Sequence, residues 1–209
     1  MELNLSYFYL LIGATVILSL IGFSNHSFFE KNKFVPYLVA RNPKEWFRII
    51  SSGFLHADFM HLLLNMYVFY SFGSFLSAYF IFTFEKLGNL LFLILYITSI
   101  IASHIPTLIK QKNNGYYASI GASGAVSAIT FSYILINPTS TITMLMGIHM
   151  PAILFGIIYL AAEYFLGKRN NDNINHDAHF WGAVYGFAFT GLLQPNLFVA
   201  FINQIKAYL

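Results

Sequence analysis

One pattern governs the chain from end to end: apolar runs close to the roughly 20 residues a helix needs to cross a bilayer, separated by short polar breaks. Apolar stretches bounded by polar clusters place spans near 7–24, 62–83, 87–109, 121–136, 141–166 and 178–203. In hydrocarbon every backbone donor needs an internal acceptor, and helices meet that demand within one segment. The expectation is therefore an all-α membrane protein, a six-transmembrane-helix bundle. Composition agrees, with 57% hydrophobic and only 9% charged residues, against about 25% charged in soluble domains. Six spans occupy roughly 120 residues, so residues 1–209 read as a single domain with only loops and tails left over.

Two spans depart from the simple pattern. In the fifth, Pro151 either kinks the helix or marks its first turn after a shallow interfacial stretch from Thr141 to Met150. The fourth ends before Asn137-Pro138 and is short, so neighbouring protein must shield it or the bilayer must thin around it. Between the first two spans, Asn25 to Met60 mixes many Phe with Glu30, Lys31, Lys33, Arg41, Lys44, Glu45, Arg48 and Asp58. That mixture predicts a long interfacial first loop lying on the membrane.

Several function classes drop out. The eleven Lys and Arg residues are scattered through loops and form no basic stripe with interleaved aromatics, so nucleic acid is not an expected partner and lipid headgroups are. With no cysteine, disulfides, thiolate ligands and Cys nucleophiles are excluded. Glu2 is the only charge before Glu30, so the first run lacks the basic flank of a signal peptide and is expected to be retained. The residues ahead of it are not Arg-rich, so a transit sequence is not expected.

The informative residues are polar ones at span entrances, where hydrocarbon makes them expensive. Three clusters stand out: His61-Leu-Leu-Leu-Asn65, Gly121-Ala-Ser123-Gly124, and His176-Asp-Ala-His179 followed by Gly182 and Gly186. They open the second, fourth and sixth spans, which run in one direction, so all three lie on one side at similar depth. Gly124 and Ala128 on the fourth span, with Gly182 and Gly186 on the sixth, follow the small-xxx-small pattern that lets backbones approach. Close approach brings His179 toward Ser123, the minimal activated nucleophile. His61, Asn65 and the Ser123 backbone N–H at a helix start are candidate donors to an oxyanion. No carboxylate falls in an evident third position. Asp177, next to both histidines in sequence, does not face His179 on a helix, so a Ser-His dyad is favoured.

These residues resemble the rhomboid intramembrane serine proteases over nearly the whole chain. The resemblance rests on Trp46-Phe-Arg48, Gly53-Phe-Leu-His56, His61-Leu-Leu-Leu-Asn65, Gly121-Ala-Ser123-Gly124 and Ala178-His179-Phe-Trp-Gly182-Ala-Val-Tyr-Gly186, in family order. It implies Ser123 as nucleophile, His179 as general base, and His61 and Asn65 lining the oxyanion hole. Gly121, Gly124, Gly182 and Gly186 support the site, and Arg48 helps fix the first loop. It further implies a six-helix bundle with a water-accessible cavity, no cofactor and no metal, and single-pass or multi-pass membrane proteins as substrates. Family members use the fifth helix and the loop before the sixth as a lateral gate. Some relatives have Tyr four residues after the nucleophile, where this chain has Ser127.

The family usually keeps its N-terminus in the cytoplasm, which points to the cell (inner) membrane with the catalytic face outside. Sorting charges by loop runs the other way, with nine Lys and Arg on the catalytic side (Lys31, Lys33, Arg41, Lys44, Arg48, Lys110, Lys112, Lys168 and Arg169) and Lys86 and Lys206 opposite. The family orientation is preferred because five of the nine fall in the interfacial loop.

Plainer readings stand beside these. A lone Ser in a membrane helix usually packs or bonds its own backbone, and a lone His is usually a satisfied interhelical residue. His176 is read that way first, His56 as a structural hydrogen-bonder, and His26, His104 and His149 as interfacial or packing residues. Glu163 with Lys168 reads as a snorkelling pair, and Arg48 as either a loop-fixing residue or a headgroup anchor. The competing functions are a non-catalytic rhomboid-like client-binding protein, a metal protein using His56, His61, His176 and His179, and a transporter, for which no paired broken helices speak.

Overall fold

A computed structural model describes residues 6–143, 147–169, 172 and 174–209. Glu2 and the middle of the Thr141–Met150 stretch lie outside them. The elements in chain order are α1 (Tyr7–Ser24), α2 (His26–Asn32), α3 (Pro36–Val39), α4 (Phe47–Ser51), α5 (Phe59–Phe84), α6 (Gly88–Gln111), α7 (Ser123–Ile136), β1 (Thr141–Thr143), β2 (His149–Pro151), α8 (Ala152–Arg169), α9 (His176–Leu193) and α10 (Asn196–Tyr208). Short 3₁₀ turns occupy Pro43–Glu45, Ser52–Phe54 and Glu85–Leu87. The protein is mostly helical, and helix starts carry side-chain caps where the sequence supplies them. Ser6 accepts from the Phe8 N–H, Asp58 from His61 and Asn175 from Ala178.

By length and apolarity, α1 and the region Phe59–Gln111 hold candidate membrane helices. That region is not one rod. At Glu85 the backbone turns through φ 47°, and a Cβ on Gly88 would meet the Phe80 carbonyl, so only glycine lets α6 fold back on α5. Phe69 then stacks on Tyr96 at 5.2 Å, and Phe80 meets Phe92 edge-on at 6.5 Å, which fixes α5 and α6 as antiparallel neighbours.

At the centre is α7, in which every residue except Ser123 and Tyr133 is buried. Its shortness is tolerable because protein, not lipid, surrounds it. The seam with α9 is glycine-made: a Cβ on Gly182 would meet the Gly124 carbonyl, and one on Gly186 the Ala128 carbonyl. Ser132 donates to the Ala128 carbonyl or to that of Gly186, 2.9 and 3.0 Å away, and Thr190 donates to Ser132 at 2.8 Å, so the close approach is also glued by hydroxyls.

Two expected spans are corrected. The stretch read as 141–166 becomes helical only at Ala152, directly after Pro151, so of the two readings of that proline the helix start holds and the kink does not; the residues before it form an antiparallel ribbon, Thr141 opposite Pro151 and Thr143 opposite His149. The stretch read as 178–203 is two helices bent by 111° at Gln194-Pro195. Proline pushes the residue before it out of the helical region, and Gln194 sits at φ −141°, ψ 80°. α10 then folds back so that Gly191 lies against the Phe198 ring.

The segment between α1 and α5 holds three short helices. Arg48 is buried, donating to the Glu30 and Lys33 carbonyls at 2.9 and 3.0 Å and pairing with Glu45. Its guanidinium therefore ties α2 and α4 together.

Candidate active site

The first turns of α5, α7 and α9 meet at one end of the bundle. Ser123 opens α7, so its backbone N–H has no partner inside the helix. The approach to it is shaped by Gly121 at φ +128°, a conformation L side chains rarely adopt, where a Cβ would also stand 3.2 Å from His61 Nε2. The Gly121 N–H is held by the Ser52 carbonyl at 3.0 Å, and the Ala122 N–H faces His56 Nε2 at 3.5 Å. His56 is wholly buried and Ser19 Oγ lies 2.9 Å from its Nδ1. Burial pushes its pKa down to about 3, so it serves as a neutral wedge under the loop.

His179 comes from the first turn of α9, with its Nε2 2.7 Å from Ser123 Oγ. Asn175 places that turn. Its carboxamide oxygen accepts from Thr107 on α6 at 2.8 Å and caps the Ala178 N–H, and its nitrogen donates to Ser119. On α5, His61 Nδ1 accepts from the Ala57 N–H at 3.5 Å, which assigns the proton to Nε2, the nitrogen turned toward Gly121. Asn65 donates to the His61 carbonyl at 3.0 Å and lines a cavity of about 210 Å³ with Ser123. That cavity continues between Val68, Ser127, Phe155 and Tyr159, giving the hydroxyl a mostly apolar side pocket. Ser127 bonds Tyr159 on α8 at 2.6 Å, so an α8 tyrosine lies beside the position where some relatives carry one on the fourth helix.

One expectation is overturned. Glu163 does not snorkel beside Lys168, whose ammonium lies 4.2 Å over the Tyr164 ring. Instead Glu163 Oε1 lies 3.1 Å from His179 Nδ1 and Oε2 lies 2.6 Å from His176 Nδ1. On its other side His176 Nε2 is 3.1 Å from both Asp172 oxygens, and His176 is buried rather than at the surface. A hydrogen bond from His176 holds the exposed Asp172 carboxyl below the usual carboxylate range. Asp177 points elsewhere, bound to Lys110 at 2.7 Å. Sequence carried a signal for this: His176 and His179 share one helical face, and Glu163 is the one carboxylate inside a candidate span.

Glu163, His176 and His179 offer ligand atoms within 4.8 Å of one another. That is a different set from the four histidines weighed from sequence. Each of these atoms is already engaged in a hydrogen bond that explains it.

Comparison with known proteins bears on the whole arrangement. A profile described as the Rhomboid domain matches residues 43–196. "RHOMBOID-like protein 12, mitochondrial" of Arabidopsis thaliana is 29% identical over 150 residues, 65% of this chain and 43% of that protein. "Putative rhomboid protease YdcA" of Bacillus subtilis (strain 168) is 30% identical over 154 residues, 68% of this chain and 65% of that protein. The match thus spans roughly half to two thirds of these relatives' own length. Since the profile covers well over half of the sequence and takes in Ser123, His179, His61 and Asn65 together, the chain belongs to the rhomboid family.

Proposed function

We propose that this protein is an intramembrane serine endopeptidase that cleaves transmembrane segments of single-pass or multi-pass membrane proteins through Ser123 and His179. The observation that carries the reading is the 2.7 Å contact between Ser123 Oγ and His179 Nε2, made across two helices beside a cavity. Ser123 Oγ attacks the scissile carbonyl carbon while His179 Nε2 takes its proton. The carbonyl oxygen gains negative charge opposite His61 Nε2–H, the Asn65 carboxamide and the Ser123 N–H. Collapse breaks the C–N bond as His179 returns the proton to the leaving amine. Water, deprotonated by the same imidazole, then hydrolyses the acyl-enzyme.

The proposed setting is the lipid bilayer, with α1, α5, α6, α7, α8 and α9 as six spans of one domain and the segment between α1 and α5 lying at the interface. The N-terminus is cytoplasmic in the cell (inner) membrane in this reading. A carbonyl inside a helix is bonded and screened by side chains, so substrates should carry small or helix-weakening residues near the cut. No cofactor enters the chemistry, and the intact Ser123–His179 contact weighs against a purely client-binding role.

The test is detergent-solubilised protein with a fluorescent transmembrane substrate. Ser123→Ala and His179→Ala are expected to abolish cleavage and labelling by a serine-directed phosphonate. Cleavage by Ser123→Ala at the parent rate would overturn the assignment.

A further inference from the structure

We infer that Glu163 on α8 is a third member of the reacting group, a positioning carboxylate that fixes the tautomer of His179 and balances its charge when it takes the serine proton. The inference rests on the proteolytic reading for its consequence but not for its geometry. His176 presents one ring nitrogen to Glu163 and the other to Asp172. Both partners are acceptors, so both nitrogens donate and the ring is an imidazolium. Glu163 is thereby held from one side by a buried cation and has its second oxygen, Oε1, free to accept from His179 Nδ1–H at 3.1 Å. With the proton on Nδ1, the lone pair of His179 is on Nε2, the atom 2.7 Å from Ser123 Oγ. That is the only tautomer able to accept the serine proton.

The charges also balance. Before proton transfer the group holds two carboxylates and one imidazolium. When Ser123 Oγ loses its proton to Nε2, no bond to Glu163 changes, and the new imidazolium has the spare negative charge beside it. Glu163 is nearly buried, with 12% of its side chain exposed, so water screens little of this. The other charged or titratable groups near this cluster are His61 on α5, which faces His179, Tyr159 on α8, which lies beside Glu163, and Asp177 next to His176 in sequence, which is paired with Lys110 on α6. None of these is bonded to Nδ1 of His179.

Three variants, read by nitrogen-15 spectra and by steady-state kinetics, test the proposal. Nitrogen-15 spectra of histidine-labelled protein in detergent need no turnover. The parent is expected to show neutral His179 protonated at Nδ1, and Glu163→Leu, which removes the acceptor, to shift it toward the Nε2–H form. Glu163→Gln keeps an acceptor but not the charge, and is expected to lower kcat about 10- to 100-fold with KM within about twofold. Glu163→Asp should recover part of that loss. A helix-fastening role alone would instead lower the melting temperature and leave tautomer and kcat unchanged in the folded fraction. An unaltered His179 tautomer in Glu163→Leu, or parental kcat in Glu163→Gln, overturns the proposal; if Glu163→Leu does not fold, the Glu163→Gln kinetics decide. Should Ser123→Ala cleave like the parent, the proteolytic reading fails instead, and the tautomer spectra still judge Glu163.

Discussion

Gly121 and His61 show how narrowly single residues define the site. At φ +128° Gly121 lies where a side chain is strained, and its missing Cβ is the space His61 Nε2 faces. Gly121→Ala is expected to displace the ring and cut kcat with little change in KM. Truncating the proposed oxyanion donors directly, by His61→Ala or Asn65→Ala, should lower kcat by about 10²–10³ each, as removal of one such donor does elsewhere; steady-state kinetics in detergent check both. His56 allows a pH prediction. Its pKa in the folded protein is depressed to about 3 by burial, whereas the unfolded chain takes up that proton near 6.5. Folded protein therefore loses stability as pH falls below about 6.5, with a slope of up to about 1.4 kcal/mol per pH unit from this residue. Thermal unfolding between pH 4 and 7 should show that slope diminished in His56→Gln; an unchanged slope refutes the account. Ser123, His179, His61 and Asn65 were legible because polar side chains at apolar span entrances stand out against hydrocarbon. Glu163 stood out as a carboxylate inside an apolar span, but its partners did not, because whether such a group faces lipid headgroups or a neighbouring helix depends on the rotation of α8 against α9. Spacing along one chain segment does not encode that rotation.

Among the elements, the α7–α9 seam carries the strictest demand, and it was readable from the small-xxx-small spacing alone. Gly182 and Gly186 rest against backbone carbonyls of α7 rather than flexible side chains, so an added methyl has nowhere to go. Gly186→Ala is expected to destabilise the protein by about 1–3 kcal/mol, as overpacking typically does, and to reduce cleavage by moving His179 away from Ser123. Gly13, in the middle of α1 with nothing within 4 Å of its Cβ position, is the matched control, and Gly13→Ala should be neutral. Equal unfolding midpoints in detergent for the two variants would refute the seam argument. The strand pairing before α8, though not the helix start at Pro151, and the break before α10 escaped the apolar-run reading for one shared reason. Hydrophobicity reports what a segment is dissolved in, not how its backbone is hydrogen-bonded. Backbone signals were present: β-branched Thr141-Ile-Thr143 and Gly147 at φ +74° mark the ribbon, and Pro195 marks the break. Where apolar length and these signals disagreed, the local backbone chemistry prevailed.

For the molecule as a whole, polar contacts identify the end opposite the site. Ser6 meets Ser77 and Asn89, Tyr79 donates to Gln194, and Gln204 reaches the Ile136 carbonyl, which gathers the start of α1, the α5–α6 turn, the end of α7 and α10 on that face. The face carries Lys86 and Lys206, against nine cationic residues at the catalytic end. Counted naively, those nine would hold the catalytic end in the cytoplasm. Several of them are spent within the fold: Arg48 on backbone carbonyls and Glu45, Arg41 on the Lys112 carbonyl, Lys33 on Glu30 and Lys110 on Asp177. A cation bound inside a folded segment has a partner other than anionic headgroups, so its pull on orientation is weakened. The proposed arrangement therefore keeps the face with α10 cytoplasmic. Two reporter fusions test it together. One at Leu209 should report the cytoplasm, and one after Tyr116, fully exposed in the α6–α7 connection, should report the other side. Opposite results at both sites would reverse the orientation and restore the simple charge count. The same compartment at both sites would contradict the proposed six-span topology, because α7, α8 and α9 are an odd number of crossings between those two points.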